Sequence, residues 1–217
     1  SNWKEGYEYT VATEMYSAGI DRLTHQPLSF SVSETTEGVH IHIIDAELMG
    51  KGEKEKKDLY IEGVQNNGII NHYEYIINSE GTIEIRHVLK PEGKMPLWFP
   101  RIGLTLTVSD ALDQVKWYGR GPQENYPDRK TGYPTGIYAS TVQAMYEPYL
   151  MPQDYGLRTD VRWLQLTTDK GIGLQFKMNE WFNFNIYPYS TDNLTKAMYT
   201  YQLQKQKGMT LNLDYAT

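Results

Sequence analysis

The densest group of side chains that could do chemistry lies between residues 117 and 129, in the run Trp-Tyr-Gly-Arg-Gly-Pro-Gln-Glu-Asn-Tyr-Pro-Asp-Arg. Glu124 and Asp128 offer two carboxyl groups there. Glycoside hydrolysis needs such a pair, one to donate a proton and one to act as nucleophile or base, at a separation of roughly 5 to 9.5 Å. Alternatively, both acids accept backbone N–H bonds and pair with Arg120 or Arg129. The residues alone favour this structural interpretation, because Asp and Arg beside Pro are common in turns.

A second candidate is a pair of histidines, His40 and His42, in the alternating run Val-His-Ile-His-Ile. Side chains two residues apart on a strand point to the same face, so both imidazoles could bind one metal ion. Zinc sites use three or four protein ligands, and no third ligand is evident from the sequence. We therefore predict no metal site in this chain.

Short runs that alternate between apolar and polar residues surround these groups, and such runs are typical of half-buried strands. Turn signals such as Glu37-Gly38, Ser79-Glu80-Gly81 and Asp169-Lys170-Gly171 separate them. The alternating runs cover residues 7–11, 28–32, 39–43, 83–86, 104–108, 163–166, 174–178, 182–186 and 211–213. Many short strands joined by such turns predict an all-β fold, a large sandwich of antiparallel sheets.

Three segments depart from this pattern. Thr191–Tyr199 is the one fair helix candidate, with Ser190 as its N-cap. Residues 51–58 form a charged run that we interpret as a solvated loop. From residue 117 to residue 156 the alternation fails, and Pro, Gly and Tyr are frequent. A long irregular segment of this kind is either functional or a structured crossover.

Composition excludes several classes of function. The chain of 217 residues has a net charge of −6, which argues against a nucleic-acid partner. No run of about 18 apolar residues exists, so no membrane span is predicted. The absence of cysteine excludes thiol nucleophiles and disulfides. The 18 Tyr and 5 Trp residues suit a sheet surface, and sugar stacking is the less favoured alternative on composition alone.

The string Gly-Pro-Gln-Glu-Asn-Tyr-Pro-Asp-Arg at residues 121–129 closely resembles a signature of one protein family. That family is the C-terminal small-chain domain of β-galactosidases in glycoside hydrolase family 2. Further similar runs follow the family's order, with Arg101 in residues 100–103, Arg158 in residues 156–158, and residues 184–186 and 211–214. The resemblance is closest from about residue 98 to residue 217.

The resemblance implies a β-supersandwich similar to that of galactose mutarotases. We expect residues 3–217 to form a single β-sandwich domain that is shorter at both ends than the family's domain. Ser1-Asn2 looks like a scar left by proteolytic cleavage.

In the family, the catalytic glutamates and the Mg²⁺ ligands lie in a separate TIM barrel. The resemblance therefore implies no catalytic residue, no cofactor and no metal in this chain. It also implies structural roles for the following signature residues: Arg101, Gly121, Pro122, Gln123, Glu124, Asn125, Tyr126, Asp128, Arg129 and Arg158. One family tryptophan, on a loop before the Phe-Asn-Ile strand, stacks on bound sugar. Trp181 is its best match here, and Phe182 could take the same place.

The function implied is that of an accessory domain of a β-galactosidase, completing the sugar-binding cleft without its catalytic glutamates. Its partners would be the TIM-barrel domain of the same parent chain and a galactoside, with a homo-oligomer possible in the parent. A mutarotase-like or epimerase-like enzyme and a stand-alone carbohydrate-binding module are the alternatives. The sequence leaves the compartment open between the cytoplasm and the periplasm of a bacterium.

Overall fold

A computed structural model of the chain describes residues 18–49, 67–93, 95, 99 and 101–216. These residues fall into two compact units that divide between residues 98 and 99. We call them the N-terminal unit and the C-terminal unit. Each contains one antiparallel sheet, so the all-β prediction is confirmed. The expectation of one domain over residues 3–217 stays a prediction.

The N-terminal unit contains a four-stranded sheet in the order β1-β2-β3-β4, preceded by a 3-10 turn at Ile20–Arg22. Each strand pairs antiparallel with the next. The strands are β1 (Thr24–Thr35), β2 (Gly38–Leu48), β3 (Gly68–Ile77) and β4 (Ile83–Glu92). Gly38 follows the turn between β1 and β2 with a φ of 139°, and an added Cβ there would lie 2.2 Å from the Ile77 carbonyl oxygen.

The C-terminal unit contains a six-stranded antiparallel sheet in the order β5-β10-β9-β8-β6-β7. Its strands are β5 (Ile102–Val108), β6 (Gln114–Arg120), β7 (Thr135–Thr141), β8 (Arg158–Thr167), β9 (Gly173–Tyr187) and β10 (Met209–Ala216). Because β10, the last strand, pairs with the edge strand β5, the first, residues from both ends of this unit lie side by side near one edge of the sheet.

Apolar side chains from one face of the strands form the core of the C-terminal unit. Trp117, Leu164, Phe182, Phe184 and Leu211 are fully buried and belong to one apolar cluster. The Trp117 indole packs edge-on against Phe184, with ring centroids 5.9 Å apart, and its N–H donates to the Arg120 carbonyl over 2.9 Å. This hydrogen bond satisfies the one polar group of the indole, which allows the ring to be buried.

The predicted helix is present as α1 (Thr191–Lys196), three residues shorter at its C-terminal end than predicted. The Ser190 hydroxyl accepts from the Asn193 backbone N–H over 3.1 Å, as an N-cap residue does. Leu194 packs with Tyr155 and Tyr187 in a second, smaller core. No helix among the described residues is long and apolar enough to cross a membrane.

Strands β3, β6 and β7 have no counterpart among the predicted runs, and β9 joins two of those runs. Strand β7 lies inside the stretch where alternation fails, so this stretch contains a β6–β7 pair and the irregular loop 121–134 between its strands. The runs at 174–178 and 182–186 belong to one long strand, β9. The strand predicted at residues 7–11 and the charged loop at 51–58 lie outside the described residues.

Candidate functional site

An open pocket of about 350 Å³ lies in the C-terminal unit, beside the loop 121–134, which we call the motif loop. It combines two aromatic side chains with carboxyl, amide and ammonium groups. Its walls are Pro127, Lys130, Asp160, Trp181, Asn183, Asp214 and Tyr215. These residues come from the motif loop and from strands β8, β9 and β10.

Asn125 ties the motif loop to β8. Its backbone N–H donates to the Leu157 carbonyl over 2.8 Å, and its side-chain oxygen accepts from both the backbone N–H and the hydroxyl of Thr159. The side-chain amide donates to the Gln123 carbonyl over 3.0 Å. The Asn125 side chain is fully buried, so these bonds satisfy groups that water cannot reach.

Glu124 is the centre of a second set of contacts. Its carboxylate accepts hydrogen bonds from Arg129 over 2.6 Å, from the Gly156 N–H over 2.9 Å, from the Tyr126 hydroxyl over 3.1 Å and from the Tyr149 hydroxyl. Burial alone would raise the pKa of Glu124, but these donors outweigh it and hold the pKa below its ordinary value. A carboxylate that accepts four bonds has no free lone pair to offer a substrate.

Asp160 forms the floor of the pocket with an unusual backbone. Its φ of 54° places it in the left-handed region, where residues other than glycine are uncommon. Its Oδ2 accepts from Arg120 over 2.5 Å and its Oδ1 from Lys130 over 2.8 Å. Burial would raise the pKa of this carboxyl, but the bonds from Arg120 and Lys130 keep the pKa below its ordinary value.

The same backbone turn positions Trp181. The Asp160 carbonyl accepts from Arg162 over 2.8 Å, and the Arg162 guanidinium carbon lies 4.4 Å from the centroid of the Trp181 ring. Residues 178–181 of β9 lie opposite the single residue Arg162 of β8, so the sheet register is irregular here. Trp181 thus lies within β9 rather than on a preceding loop, and it is 58% exposed.

Asp214 is the second carboxyl group of the pocket. Its side chain is buried, and Arg101 Nη1 lies 3.5 Å from its Oδ2. Arg101 also donates to Asp154 over 2.9 Å. Burial raises the pKa of Asp214 to about 6, because Arg101 compensates only in part and Asp154 adds to the rise. This carboxyl group therefore changes its protonation state near pH 6, where its pKa lies.

Asp160 and Asp214 differ in pKa as the acid and the nucleophile of a glycosidase do. The contacts of Asp160 argue against a nucleophilic role, because Arg120 and Lys130 each bind one of its oxygen atoms. The pocket can instead bind a neutral polyhydroxyl ligand, with the Trp181 ring for stacking and several hydrogen-bonding groups around it.

The other predicted residues lie in several environments. Phe182 is 1% exposed within the core, where its ring has no surface to offer a ligand, whereas Trp181 lines the pocket. Arg158 is buried, with its guanidinium 5.4 Å from the Trp117 ring centroid, and burial lowers its pKa to about 10. A Cβ on Gly121 would lie 2.8 Å from the Tyr138 ring. Pro122, Gln123 and Asp128 are exposed.

Four residues of the pocket were not singled out from the sequence: Lys130, Asp160, Asn183 and Tyr215. Asn183 alternates with buried phenylalanines, so the pattern predicts a solvent-facing side chain. It is buried instead, and its side-chain oxygen accepts from the Asp160 N–H over 3.2 Å. The sequence carried no signal for this burial, because alternation alone places a polar residue on the solvent side of a half-buried strand.

The comparisons with known proteins agree on one family. Residues 5–217 match the family described as β-galactosidase small chain. A β-galactosidase of Priestia megaterium is 38% identical over 141 residues, 65% of this chain and 14% of that protein. One of Vibrio cholerae is 30% identical over 200 residues, 92% of this chain and 17% of that protein. The chain thus spans between 14% and 17% of the length of these two relatives.

Proposed function

The chain belongs to the β-galactosidase small chain family, and from this premise we propose that it is an accessory domain of a family 2 β-galactosidase. In this role it completes the sugar-binding cleft of the parent enzyme. The catalytic glutamates and the Mg²⁺ of the parent lie in another domain of the same parent chain. The observation that carries the proposal is the exposed Trp181 in a pocket of polar side chains.

The contacts of Trp181 suit a sugar platform. Arg162 lies against its ring, and Arg162 is in turn held by the Asp160 carbonyl, so the indole is fixed in place before a ligand arrives. Stacking of a ring on the apolar face of a sugar contributes about 1 kcal/mol, and a fixed ring loses little entropy on binding. The surrounding carboxyl and amide groups can accept and donate hydrogen bonds to sugar hydroxyls.

The contacts of the carboxylates support an accessory rather than a catalytic role. Glu124 accepts four hydrogen bonds, and Asp160 is bound by two cations. Retaining glycosidases need two available carboxyl groups about 5 to 5.5 Å apart. The mutarotase-like alternative needs a general acid and a general base on the sugar-binding face, commonly His and Glu. Among the described residues that line this pocket there is no histidine, which disfavours that alternative.

The proposed contact between Trp181 and the sugar is tested by mutating the parent enzyme. Trp181→Ala should raise KM for a nitrophenyl β-galactoside several-fold, because about 1 kcal/mol corresponds to roughly a five-fold change in affinity. The control is Tyr201→Ala, which removes an aromatic ring of the same unit that is 78% exposed and outside the pocket. An unchanged KM in Trp181→Ala would contradict the proposed contact.

The accessory role has a separate test. The purified 217-residue chain, expressed in a host without β-galactosidase, should not turn over the same nitrophenyl galactoside. Turnover that disappears in Glu124→Gln or Asp214→Asn would show that the chain carries its own catalytic carboxyl groups, and the proposal would then be abandoned.

A further inference from the structure

We propose that His40, His42 and Glu74 form a binding site for one divalent transition-metal ion such as Zn²⁺ on the sheet of the N-terminal unit. The three side chains bring two imidazole nitrogens and one carboxylate oxygen within 4.8 Å of one another. A set of two histidines and one glutamate, with water in the fourth position, is a known ligand set for zinc in proteins. This site is independent of the sugar pocket in the other unit.

The strand register brings the third ligand into place. His42 on β2 pairs directly with Glu74 on β3, and His40 lies two residues before His42 on the same face. Glu74 is more than thirty residues away from both histidines along the chain. For this reason the sequence alone reveals two possible ligands, and the third becomes visible only from the pairing of β2 with β3.

The distances fit a single ion between the three groups. Glu74 Oε1 lies 3.9 Å from His40 Nδ1 and 3.8 Å from His42 Nε2. These separations are too long for hydrogen bonds. In a tetrahedral zinc site with bonds of about 2.0 to 2.1 Å, ligand atoms lie about 3.4 Å apart, so each of these two separations would have to shorten by about half an ångström. His42 is 51% exposed and free to make that shift.

Neighbouring charges orient the carboxylate of Glu74. Arg86 on β4 donates to Glu74 Oε2 over 3.1 Å, and Glu84 holds the Arg86 guanidinium over 2.8 Å. The arginine binds one carboxylate oxygen, and the other, Oε1, faces the two imidazoles. Partners that hold a ligand's second atom in this way are typical of metal sites, where they fix the direction of the ligating atom.

His40 provides the second sign of a ligand. Its Nε2 is buried and has no hydrogen-bond partner among the described residues. Metal-bound histidines usually donate their other ring N–H to a carboxylate or carbonyl. The carboxylate of Glu37, in the turn before β2, lies 3.8 Å from His40 Nε2. A small rotation of the exposed Glu37 side chain would supply that partner once Nδ1 binds the metal.

The ligand types select the metal. Imidazole nitrogens suit Zn²⁺, Cu²⁺ and Ni²⁺, whereas Mg²⁺ and Ca²⁺ require oxygen ligands. The ion would join β2 to β3 by side-chain bonds in addition to their backbone hydrogen bonds. We therefore assign the site a structural effect on the N-terminal unit, which is measurable without any enzyme assay.

The experiment uses the metal-free 217-residue chain titrated with Zn²⁺ in competition with a chromogenic chelator. We expect one Zn²⁺ per chain, and a dissociation constant raised at least about ten-fold in both His42→Asn and Glu74→Gln. His25→Asn is the matched control, because it removes a histidine from β1 that pairs with Glu47 instead. Mg²⁺ should not compete with Zn²⁺.

A second measurement separates loss of ligands from loss of structure. Zn²⁺ should raise the thermal unfolding midpoint of the wild-type chain and leave that of His42→Asn unchanged, since ligands that bind only the folded state stabilise it. Circular dichroism checks that both variants keep their sheet content. The proposal is overturned if the wild-type chain shows no saturable binding, or if His42→Asn binds Zn²⁺ as tightly as the wild-type chain and the His25→Asn control do.

Discussion

Arg120 and Asp160 are joined by a 2.5 Å hydrogen bond between Nε and Oδ2, which connects the end of β6 to the bend in β8. The same arginine donates through Nη1 to the carbonyl oxygens of Lys130 and Tyr133 at the far side of the motif loop. One guanidinium therefore holds both the loop and the pocket floor. Its planar set of donors suits this task in a way that a lysine could not reproduce.

Removing this guanidinium should destabilise the chain. Arg120→Gln leaves the largely buried carboxylate of Asp160 with Lys130 as its remaining partner among the described cations and frees two loop carbonyls, so we expect unfolding free energy to fall by about 2 kcal/mol. Urea unfolding measures this change. Arg86→Gln, at an exposed arginine of the N-terminal unit, is the control and should lower the unfolding free energy less than Arg120→Gln does. Equal losses in the two variants would contradict the role of Arg120.

The two carboxyl groups of the signature should respond differently to neutralisation. In Glu124→Gln an amide N–H₂ would face groups that are themselves donors, so we expect a loss of about 2 to 3 kcal/mol in unfolding free energy. Asp128→Asn changes an exposed side chain and should stay within about 0.5 kcal/mol of wild type. Denaturant titrations of both variants decide the matter, and a larger effect in Asp128→Asn would reverse our assignment.

Adjacent aromatic residues of β9 provide a third contrast. Phe182→Ala opens a cavity in the core and should lower stability by about 3 to 5 kcal/mol. Trp181→Ala removes a largely exposed ring and its contact with Arg162, and should cost about 1 kcal/mol or less. Thermal unfolding of the two variants tests this directly. Similar losses would mean that Trp181 serves packing rather than ligand contact.

Asp214 should lower the stability of the folded state as pH rises, whereas most acidic residues raise it. Its folded-state pKa of about 6 lies above the ordinary value of 3.8, so the folded state binds more protons between these values. Stability therefore falls as pH rises through this window, by about 2 to 3 kcal/mol from this group, and levels off above it.

The variant Asp214→Asn isolates this contribution. Its stability relative to wild type should increase between pH 4.5 and pH 7, as measured by urea unfolding at several pH values. Asp113→Asn, at a carboxyl group of the same unit outside the pocket beside the motif loop, is the control. Parallel pH curves for wild type and Asp214→Asn would contradict a raised pKa.

The sequence predicted the strands well where alternation is regular, because one face of each strand must be buried. It failed to predict β3 and β6, and also β7, whose run Thr-Gly-Ile-Tyr-Ala-Ser-Thr carries little apolar surface and whose Ile137 is exposed. An edge strand of this kind is formed by its hydrogen bonds to β6 and has no strong hydrophobic pattern to reveal it.

The pocket was predictable only in part. Trp181 could be singled out by its resemblance to a family residue, but its neighbours Asp160 and Lys130 could not. Lys130 comes from the motif loop, outside both β8 and β9. Asp160 and Trp181 lie where β8 and β9 lose their register around Val161, and a register irregularity is a property of two strands together. The same reason explains Glu74, which becomes a neighbour of His42 only when β2 and β3 pair.

The left-handed backbone at Asp160 also determines which amino acids the position can tolerate. Glycine adopts a φ of 54° without strain, and asparagine does so at little cost, whereas β-branched residues clash with their own backbone. Glycine and asparagine both lack the negative charge that Arg120 and Lys130 require. Aspartate alone meets both demands well. When Asp160 is replaced by each of the other amino acids, we therefore expect few variants to fold stably, and Asp160→Asn to lose the least stability.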